Sequence, residues 1–295
     1  MSDLPRRLAV AVVGIPVVVG LLYLGGWPLT LPVAVLAALG AREVFALASA
    51  RGTRAFPFLG MAGAAAVVAA AGWGGTYPVA APALLAVVAG VAGLAFGRAL
   101  ASRRAADGPL GAVAVTVTGV VYVGLPLAAV PLLHALPAHA GWGGAAPSPW
   151  MGTMAVALPL AATWVGDSAA YFAGSAWGRN GPKLAPAISP NKSWAGAVAG
   201  LVGAGAAGAV WFVVAGPFLP DAPLRGFVGV VATGALLGAG AQAGDLVESL
   251  LKREAGVKDS GTLFPGHGGA LDRLDALVVS LPLAYVILSA LDAFS

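Results

Sequence analysis

Acidic side chains in the second half of the chain stand at spacings that could bind a metal ion. Asp245 and Glu248 are three residues apart in one apolar segment, and Asp272 and Asp275 repeat that spacing at the start of another. Residues three or four positions apart share one face of a helix, so each pair would present its oxygens together. Asp167 is a fifth carboxylate within an apolar segment, where a charge is costly and usually functional. Oxygen donors without cysteine, and with one histidine nearby, favour a hard cation such as Mg²⁺ over zinc.

An alternative is that these acids only form ion pairs at helix ends, with Lys252, Arg253 and Arg273 as partners. That explanation would suffice for a single acid. It is less favoured for five acids that include two pairs at helical spacing.

A charged, glycine-rich loop precedes the last apolar segment, and its sequence from Lys258 to Leu277 is KDSGTLFPGHGGALDRLDAL. Its glycines exclude a regular helix and let the backbone approach a ligand closely. The N–H groups of the helix that follows favour anions. Cations, open N–H groups and carboxylates together predict a site for phosphate and Mg²⁺, as phosphoryl or nucleotidyl transfer requires. His267 would contact phosphate or act as an acid, or would only form a hydrogen bond within the turn.

The composition indicates that membrane-spanning helices position these residues. Of 295 residues, 59% are hydrophobic and 9% are charged, and the mean hydropathy is +0.89, whereas soluble domains are about 25% charged. A membrane helix needs about 20 apolar residues, and runs of that length recur. We therefore predict an all-α fold, a polytopic integral membrane helical bundle. Its nine helices are predicted over residues 8–25, 28–48, 57–73, 79–98, 110–134, 150–172, 194–215, 226–248 and 272–292.

Two of these segments need a further interpretation. The first could be a secretory signal, but it is not followed by a convincing small-residue cleavage site, and we interpret it as a retained helix. Pro126 and Pro131 predict a kinked or broken fifth helix.

The basic residues predict the orientation. With the N-terminus in the cytoplasm, all 16 Lys and Arg residues except Arg225 fall on the cytoplasmic side, which agrees with the positive-inside rule. The five acids then lie near the cytoplasmic ends of the sixth, eighth and ninth helices. A secondary transporter would instead place its acids near the middle of the bilayer and repeat its halves. We therefore favour an enzyme over a transporter.

Two stretches resemble the phosphatidate cytidylyltransferase family, also called CDP-diglyceride synthases. The first, SLLKREAGVKDSGTLFPGHGGALDRLD from Ser249 to Asp275, follows the family signature of Ser-x-x-Lys-Arg, Lys-Asp, His-Gly-Gly and Asp-Arg-x-Asp. The second, GDSAAYFAGSAWGRNGPKLAPAISPNKSWAGAVAG from Gly166 to Gly200, is similar to the family's Asp-x-x-Ala-Tyr segment and its Ser-Pro-Asn-Lys-Ser/Thr-Trp loop. Ala195 departs from the pattern, because the family often has Glu there.

The resemblance implies a reaction and its participants. CTP and phosphatidic acid would give CDP-diacylglycerol and pyrophosphate, with Mg²⁺ as cofactor and a second cation left open. The nearest alternative is a CTP-dependent lipid kinase, which would release CDP instead. We expect a multi-pass protein of the bacterial cytoplasmic membrane with its active site facing the cytoplasm, a homodimer, and no nucleic-acid partner.

The resemblance also implies roles for particular residues. Asp245 and Asp272 would be the main metal ligands, with Asp275 and Glu248 as further ligands or orienting groups. Phosphate would be neutralised or contacted by Lys252, Arg253, Lys258, Arg273, His267, Gly268 and Gly269, with Asp259 orienting Lys258. A second polar clamp would comprise Ser189, Asn191, Lys192 and Ser193, and the cavity would be lined by Asp167 and Tyr171. Residues 1–135 would form a scaffold with dimer contacts, and residues 150–295 the catalytic region.

Overall fold

The chain is almost entirely helical. The structure is a computed structural model, and it describes residues 4–145, 147–224, 226–263 and 268–294. Each of the nine segments predicted from hydropathy is helical, so the predicted fold class is confirmed. The bounds differ from the prediction mainly at the polar ends of the helices, where periodicity is weakest.

The helices and strands follow one another in a simple order. The first half comprises α1 Leu4–Leu24, α2 Gly26–Ala50, α3 Pro57–Gly74, α4 Tyr77–Ser102, α5 Pro109–Gly119 and α6 Leu125–His139. The second half comprises α7 Met151–Trp177, β1 Lys183–Ala185, β2 Ser189–Ser193, α8 Trp194–Ala215, α9 Phe227–Ala255, α10 Leu271–Leu274 and α11 Leu277–Ala293.

Most of these helices are long and apolar enough to cross a bilayer. Among the described residues, seven segments meet both conditions; α5 and α6 count together as one of them, and so do α10 and α11. The chain is therefore a multi-pass membrane protein. Helix α7 is long enough at 27 residues but is not one of the seven, because Asp167 and its polar neighbours lower its hydropathy. The cytoplasmic location of the N-terminus stays a prediction.

The predicted irregularity of the fifth helix takes the form of a wider turn. Helices α5 and α6 are joined by a π-helical turn over Val120–Gly124, in which the N–H of Leu125 bonds to the carbonyl of Val120. Proline lacks an N–H, so Pro126 cannot satisfy the carbonyl four residues before it. The π turn ends at Gly124, two residues before Pro126, and the helix continues through Pro131 to His139.

The last helix is interrupted, which the sequence prediction did not anticipate. Helix α10 ends at Leu274 and α11 begins at Leu277, with a turn at Asp275 and Ala276. The N–H of Ala276 bonds to Oδ1 of Asp275 at 2.7 Å. Asp272 and Asp275 therefore do not share one regular helix, and the prediction that they do is wrong.

The structure also contains a β-hairpin that the sequence analysis did not predict. Strands β1 and β2 pair antiparallel, with Lys183 opposite Ser193 and Ala185 opposite Ser189. The pairing is irregular between these two positions. The hairpin joins α7 to α8 and carries the stretch predicted as a polar clamp.

The chain packs into two compact units, which are described separately. The first comprises Met1–Leu132 with Glu254–Leu274, and the second comprises Leu133–Arg253 with Asp275–Ser295. In the first unit, a Cβ added to Gly40 would lie 2.8 Å from Cγ1 of Val123. Small residues thus permit close helix packing here, as is typical of membrane proteins.

The second unit is built on small residues at the α8–α9 interface. A Cβ added to Gly208 would lie 2.6 Å from the carbonyl oxygen of Val230, and one added to Gly234 would lie 3.3 Å from the Cα of Gly208. Gly238 packs against Ala204 in the same way. Gly234 and Gly238 therefore pack α9 against α8 within one chain. The homodimer stays a prediction.

Candidate functional site

Three carboxylates of the second unit form a cluster. Asp245 and Glu248 project from α9, and Asp275 lies in the turn before α11. One oxygen from each of the three lies within 4.8 Å of the others. Glu248 is completely buried, whereas Asp245 and Asp275 are partly exposed. The cluster offers oxygen donors alone, which suits Mg²⁺ rather than a soft metal.

Glycines of α9 let the third carboxylate approach the other two. A Cβ added to Gly244 would lie 3.3 Å from the carbonyl carbon of Asp275 and 3.3 Å from Cγ2 of Val279, and would be closer still to the carbonyl oxygen of Asp275. One turn earlier, a Cβ on Gly240 would lie 3.1 Å from Leu283. The absence of side chains at these positions brings the start of α11 against α9, and with it Asp275.

Lysines partly neutralise the cluster. Lys192 pairs with Asp245 at 2.5 Å, and Lys252 pairs with Glu248 four residues earlier on α9. If all three carboxylates are ionised, the two ammonium groups leave the cluster with a net charge of −1, which would attract a cation. If the acids only formed ion pairs at helix ends, an ion pair with Lys252 would be expected. This ion pair explains the position of Glu248 but not those of the other acids. Arg253 donates to the carbonyl of Ile188 at 3.2 Å.

A cavity of about 820 Å³ lies beside Asp245. Helix α7, the hairpin, the start of α8 and α9 all contribute to its walls. Six residues predicted from sequence line it: Asp167, Tyr171, Asn191, Lys192, Ser193 and Asp245. All of these except Asp245 belong to the stretch from Gly166 to Gly200, and the structure brings that stretch against α9 at Asp245.

The clamp residues differ in what their side chains do. Ser193 is buried, and its Oγ accepts from the N–H of Gly196 at 3.2 Å as the N-cap of α8. The cavity wall continues at Gly196 and Ala197, so the positive end of α8 faces it. Ser189 lies on β2 opposite Ala185 and is not one of the residues that line the cavity.

The sequence prediction missed four polar residues that line the same cavity, namely Ser175, Arg179, Lys183 and Gln242. The two basic residues were used only to predict orientation. Lys183 donates to the carbonyls of Gly178 and Arg179, each at 2.9 Å. Gln242 donates to the carbonyl of Ala197 at 3.0 Å. Gln242 stands three residues before Asp245, and this helical spacing could have identified Gln242 as a site residue.

The remaining signature residues belong to the first unit. Oδ2 of Asp272 accepts from the N–H of Ser260 at 2.9 Å and from the N–H of Gly269 at 2.8 Å. Gly268 has a φ of 81°, and a Cβ there would lie 2.6 Å from Oδ2 of Asp272. The two glycines therefore bring the loop backbone close around this carboxylate.

Three further residues of this unit that were predicted to act at the phosphate site are on the surface. Lys258, Asp259 and Arg273 are exposed. His267 lies outside the described residues, as do Phe264, Pro265 and Gly266. The roles of all these residues stay predictions.

Comparison with known proteins agrees with the resemblance. The phosphatidate cytidylyltransferase of Brucella suis is 47% identical over 136 residues, which are 46% of this chain and 47% of that protein. The protein of that name from Haemophilus influenzae is 42% identical over 136 residues, 45% of each chain. The one from Thermotoga maritima is 39% identical over 137 residues, 46% of this chain and 49% of that protein. The chain thus spans about half the length of the curated relatives it matches.

The family assignment rests on a longer match. The model of the Cytidylyltransferase family matches residues 5–291, which include every helix from α2 to α10 and nearly all of α1 and α11. Both signature stretches fall within this range. The chain therefore belongs to the Cytidylyltransferase family.

Proposed function

We propose that this chain is a phosphatidate cytidylyltransferase, which converts CTP and phosphatidic acid to CDP-diacylglycerol and pyrophosphate. The observation that carries the proposal is the juxtaposition, in one unit, of three clustered carboxylates and a cavity lined by lysines. The names of the relatives support the choice of substrates.

The proposed reaction is a displacement at the α-phosphorus of CTP. A phosphate oxygen of the lipid forms the new bond to the α-phosphorus. The bond between the α-phosphorus and the oxygen that bridges to the β-phosphate breaks, and pyrophosphate leaves. The nucleophile is already anionic, so no strong general base is needed. Repulsion between the two phosphates is the larger barrier, because two unit charges at 4 Å cost about 4 kcal/mol at an effective dielectric of 20.

The chain provides groups that could offset this repulsion. Lys192 and Asn191, on β2, and the N-terminus of α8 border one cavity, so a phosphate placed there would meet the ammonium group of Lys192, the amide of Asn191 and the positive end of the helix dipole. Arg179 adds a further cation at the same wall. Fixed charges of this kind stabilise a transition state without reorganisation during the reaction.

Asp245, Glu248 and Asp275 would hold the metal ion. Their oxygens are of the type that Mg²⁺ prefers, and one from each residue lies within 4.8 Å of the others. When bound, Mg²⁺ supplies positive charge that polarises phosphoryl oxygens. Asp272 stays a predicted ligand on the family resemblance alone, as do the phosphate contacts assigned to Lys258, His267 and Arg273.

An apolar groove on the same unit could receive the acyl chains of the lipid. It has a volume of about 1120 Å³ and is lined by α7 and α8, with Phe172, Trp194, Val198 and Val202 among its walls. Ser175 lines both this groove and the polar cavity. A lipid could therefore place its phosphate in the cavity while its chains stay in contact with the groove, at the cytoplasmic face of the membrane.

The test is the product formed by the purified protein from labelled CTP. We expect pyrophosphate and CDP-diacylglycerol only when phosphatidic acid and Mg²⁺ are both present. Release of CDP with a phosphorylated lipid alcohol would instead identify the CTP-dependent lipid kinase. Absence of both products would refute the proposal.

A further inference from the structure

A buried glutamate of the first unit has no role in the proposed reaction. Glu43 lies in α2 among apolar neighbours and is only 9% exposed. The sequence prediction overlooked it, although a carboxylate within an apolar helix is costly and usually functional. Its contacts explain why it is there.

Both oxygens of Glu43 are engaged by the signature loop. Oε1 accepts from the N–H of Ala270 at 2.9 Å, and Oε2 accepts from the N–H of Leu271 at 2.8 Å. Oε2 also lies 2.8 Å from the hydroxyl of Ser260, which is 2.9 Å from Oδ2 of Asp272. One hydroxyl thus links the buried glutamate to the signature aspartate.

Two glycines make this approach possible. A Cβ added to Gly269 would lie 2.5 Å from Cδ of Glu43, and one added to Gly261 would lie 2.8 Å from the same atom. Any side chain at either position would displace the loop from the carboxylate. The loop backbone on both sides of the glycine-rich turn is therefore packed against Glu43.

We propose that Glu43 is a positioning residue, which fixes the backbone of Ala270 and Leu271 and, through Ser260, the orientation of Asp272. Hydrogen bonds to a carboxylate are roughly twice as strong as neutral ones, so this anchor is stronger than a capping serine would be. The functional consequence rests on the proposed function, in which Asp272 is a predicted metal ligand. The anchoring itself does not depend on that function.

The test compares hydrogen exchange in Glu43→Gln with that in the unaltered protein. Glutamine keeps one acceptor oxygen but turns an NH₂ group towards the other donors, so part of the anchor is lost. We expect the amides of Ala270 and Leu271 to exchange about tenfold faster or more. The matched control is Thr30→Val, because Thr30 is also buried in α2 and bonds only to the carbonyl of Gly26; its exchange in the loop should be unchanged.

Kinetics provide the second readout. We expect kcat of Glu43→Gln to fall by about tenfold to a hundredfold, because a small misplacement of a reacting group is sufficient for such a loss, while KM for CTP changes little. Ser260→Ala should lower kcat in the same direction and leave the exchange of Ala270 and Leu271 close to normal. This second variant keeps the test informative if Glu43→Gln does not fold.

Two results would overturn the proposal. One is unchanged exchange at Ala270 and Leu271 in Glu43→Gln. The other is faster exchange throughout α2 with an unchanged kcat, which would mean that Glu43 only contributes general stability. If the unaltered protein forms no CDP-diacylglycerol, the proposed function fails, whereas the exchange comparison still decides the role of Glu43.

Discussion

At the scale of single residues, three carboxylates within 4.8 Å of one another repel unless cations offset their charge. Lys192 and Lys252 offset two of them, by pairing with Asp245 and Glu248. Asp275 is bonded instead to the N–H of Ala276 at 2.7 Å. This backbone bond orients the carboxylate but cannot supply a full charge. Asp275 is therefore the member of the cluster that depends most on a bound cation.

We predict that Asp275→Asn will abolish tight Mg²⁺ binding and lower kcat/KM at least about a hundredfold, since removing even the outer partners of metal ligands costs ten- to a hundredfold. Isothermal calorimetry with Mg²⁺ and the pyrophosphate assay measure the two effects. The control is Asp292→Asn, because Asp292 accepts a bond from the indole of Trp142 at 2.7 Å and asparagine can keep it. Equal Mg²⁺ affinity in both variants would contradict the assignment of Asp275.

The sequence predicted some of the site residues and missed others for a physical reason. Asp245 and Glu248 could be found because helical spacing places them on one face. Glu43 could not be related to the signature loop, because more than two hundred residues separate it from Ala270 and no local pattern encodes that contact. Gln242 lies between these cases. Its spacing from Asp245 was visible in the sequence, but the predicted cluster comprised charged side chains and glutamine is uncharged.

At the scale of helices, the local hydropathy pattern predicted where helices occur better than where they are interrupted. Nine apolar runs became helical segments because a bilayer requires internal backbone hydrogen bonding. The turn at Asp275 and Ala276 was missed because it depends on the packing of α11 against α9, which involves Gly240 and Gly244. The hairpin was missed because its strands have only three and five residues, which is too short to show an alternating apolar pattern.

We predict that Gly244→Ala will separate Asp275 from the other two carboxylates. The added methyl would meet the carbonyl of Asp275, which cannot rotate away as a flexible side chain could. Overpacking of this kind costs about 1–3 kcal/mol, and we expect a lower melting temperature and a loss of Mg²⁺ affinity. The control is Gly229→Ala in the same helix, because nothing lies within 4 Å of a Cβ there. A Gly244→Ala protein with the melting temperature and Mg²⁺ affinity of Gly229→Ala would show that this approach does not position Asp275.

The apolar groove leads to a prediction for α8. Val202→Trp should fill part of the groove and raise KM for phosphatidic acid several-fold, while KM for CTP stays the same. Val210→Trp is the matched control, because the two valines are 67% and 64% exposed on one helix and only Val202 lines the groove. Steady-state kinetics in mixed micelles of varied lipid content separate the two constants. A parallel rise in both variants would mean that the groove does not receive the lipid.

At the scale of the whole molecule, orientation in the membrane decides whether the proposed chemistry is possible. CTP is a cytosolic nucleotide, so the polar cavity must open to the cytoplasm. The distribution of Lys and Arg predicts this orientation, since all but Arg225 fall on one side. Seven apolar segments are long enough to span the bilayer, so the chain crosses it several times. Whether the Asp167 end of α7 faces the cytoplasm depends on whether the number of crossings before α7 is odd or even.

The absence of cysteine from the chain makes this orientation directly measurable. Single cysteines at Ser102 and Ala145, both exposed and on either side of the α5–α6 segment, would be labelled with a membrane-impermeant maleimide in intact cells. We expect Ala145→Cys to react at once, and Ser102→Cys to react only after the membrane is opened. Labelling of Ser102→Cys in intact cells would place the basic face outside. The cavity would then face away from CTP, and the proposed reaction could not take place there.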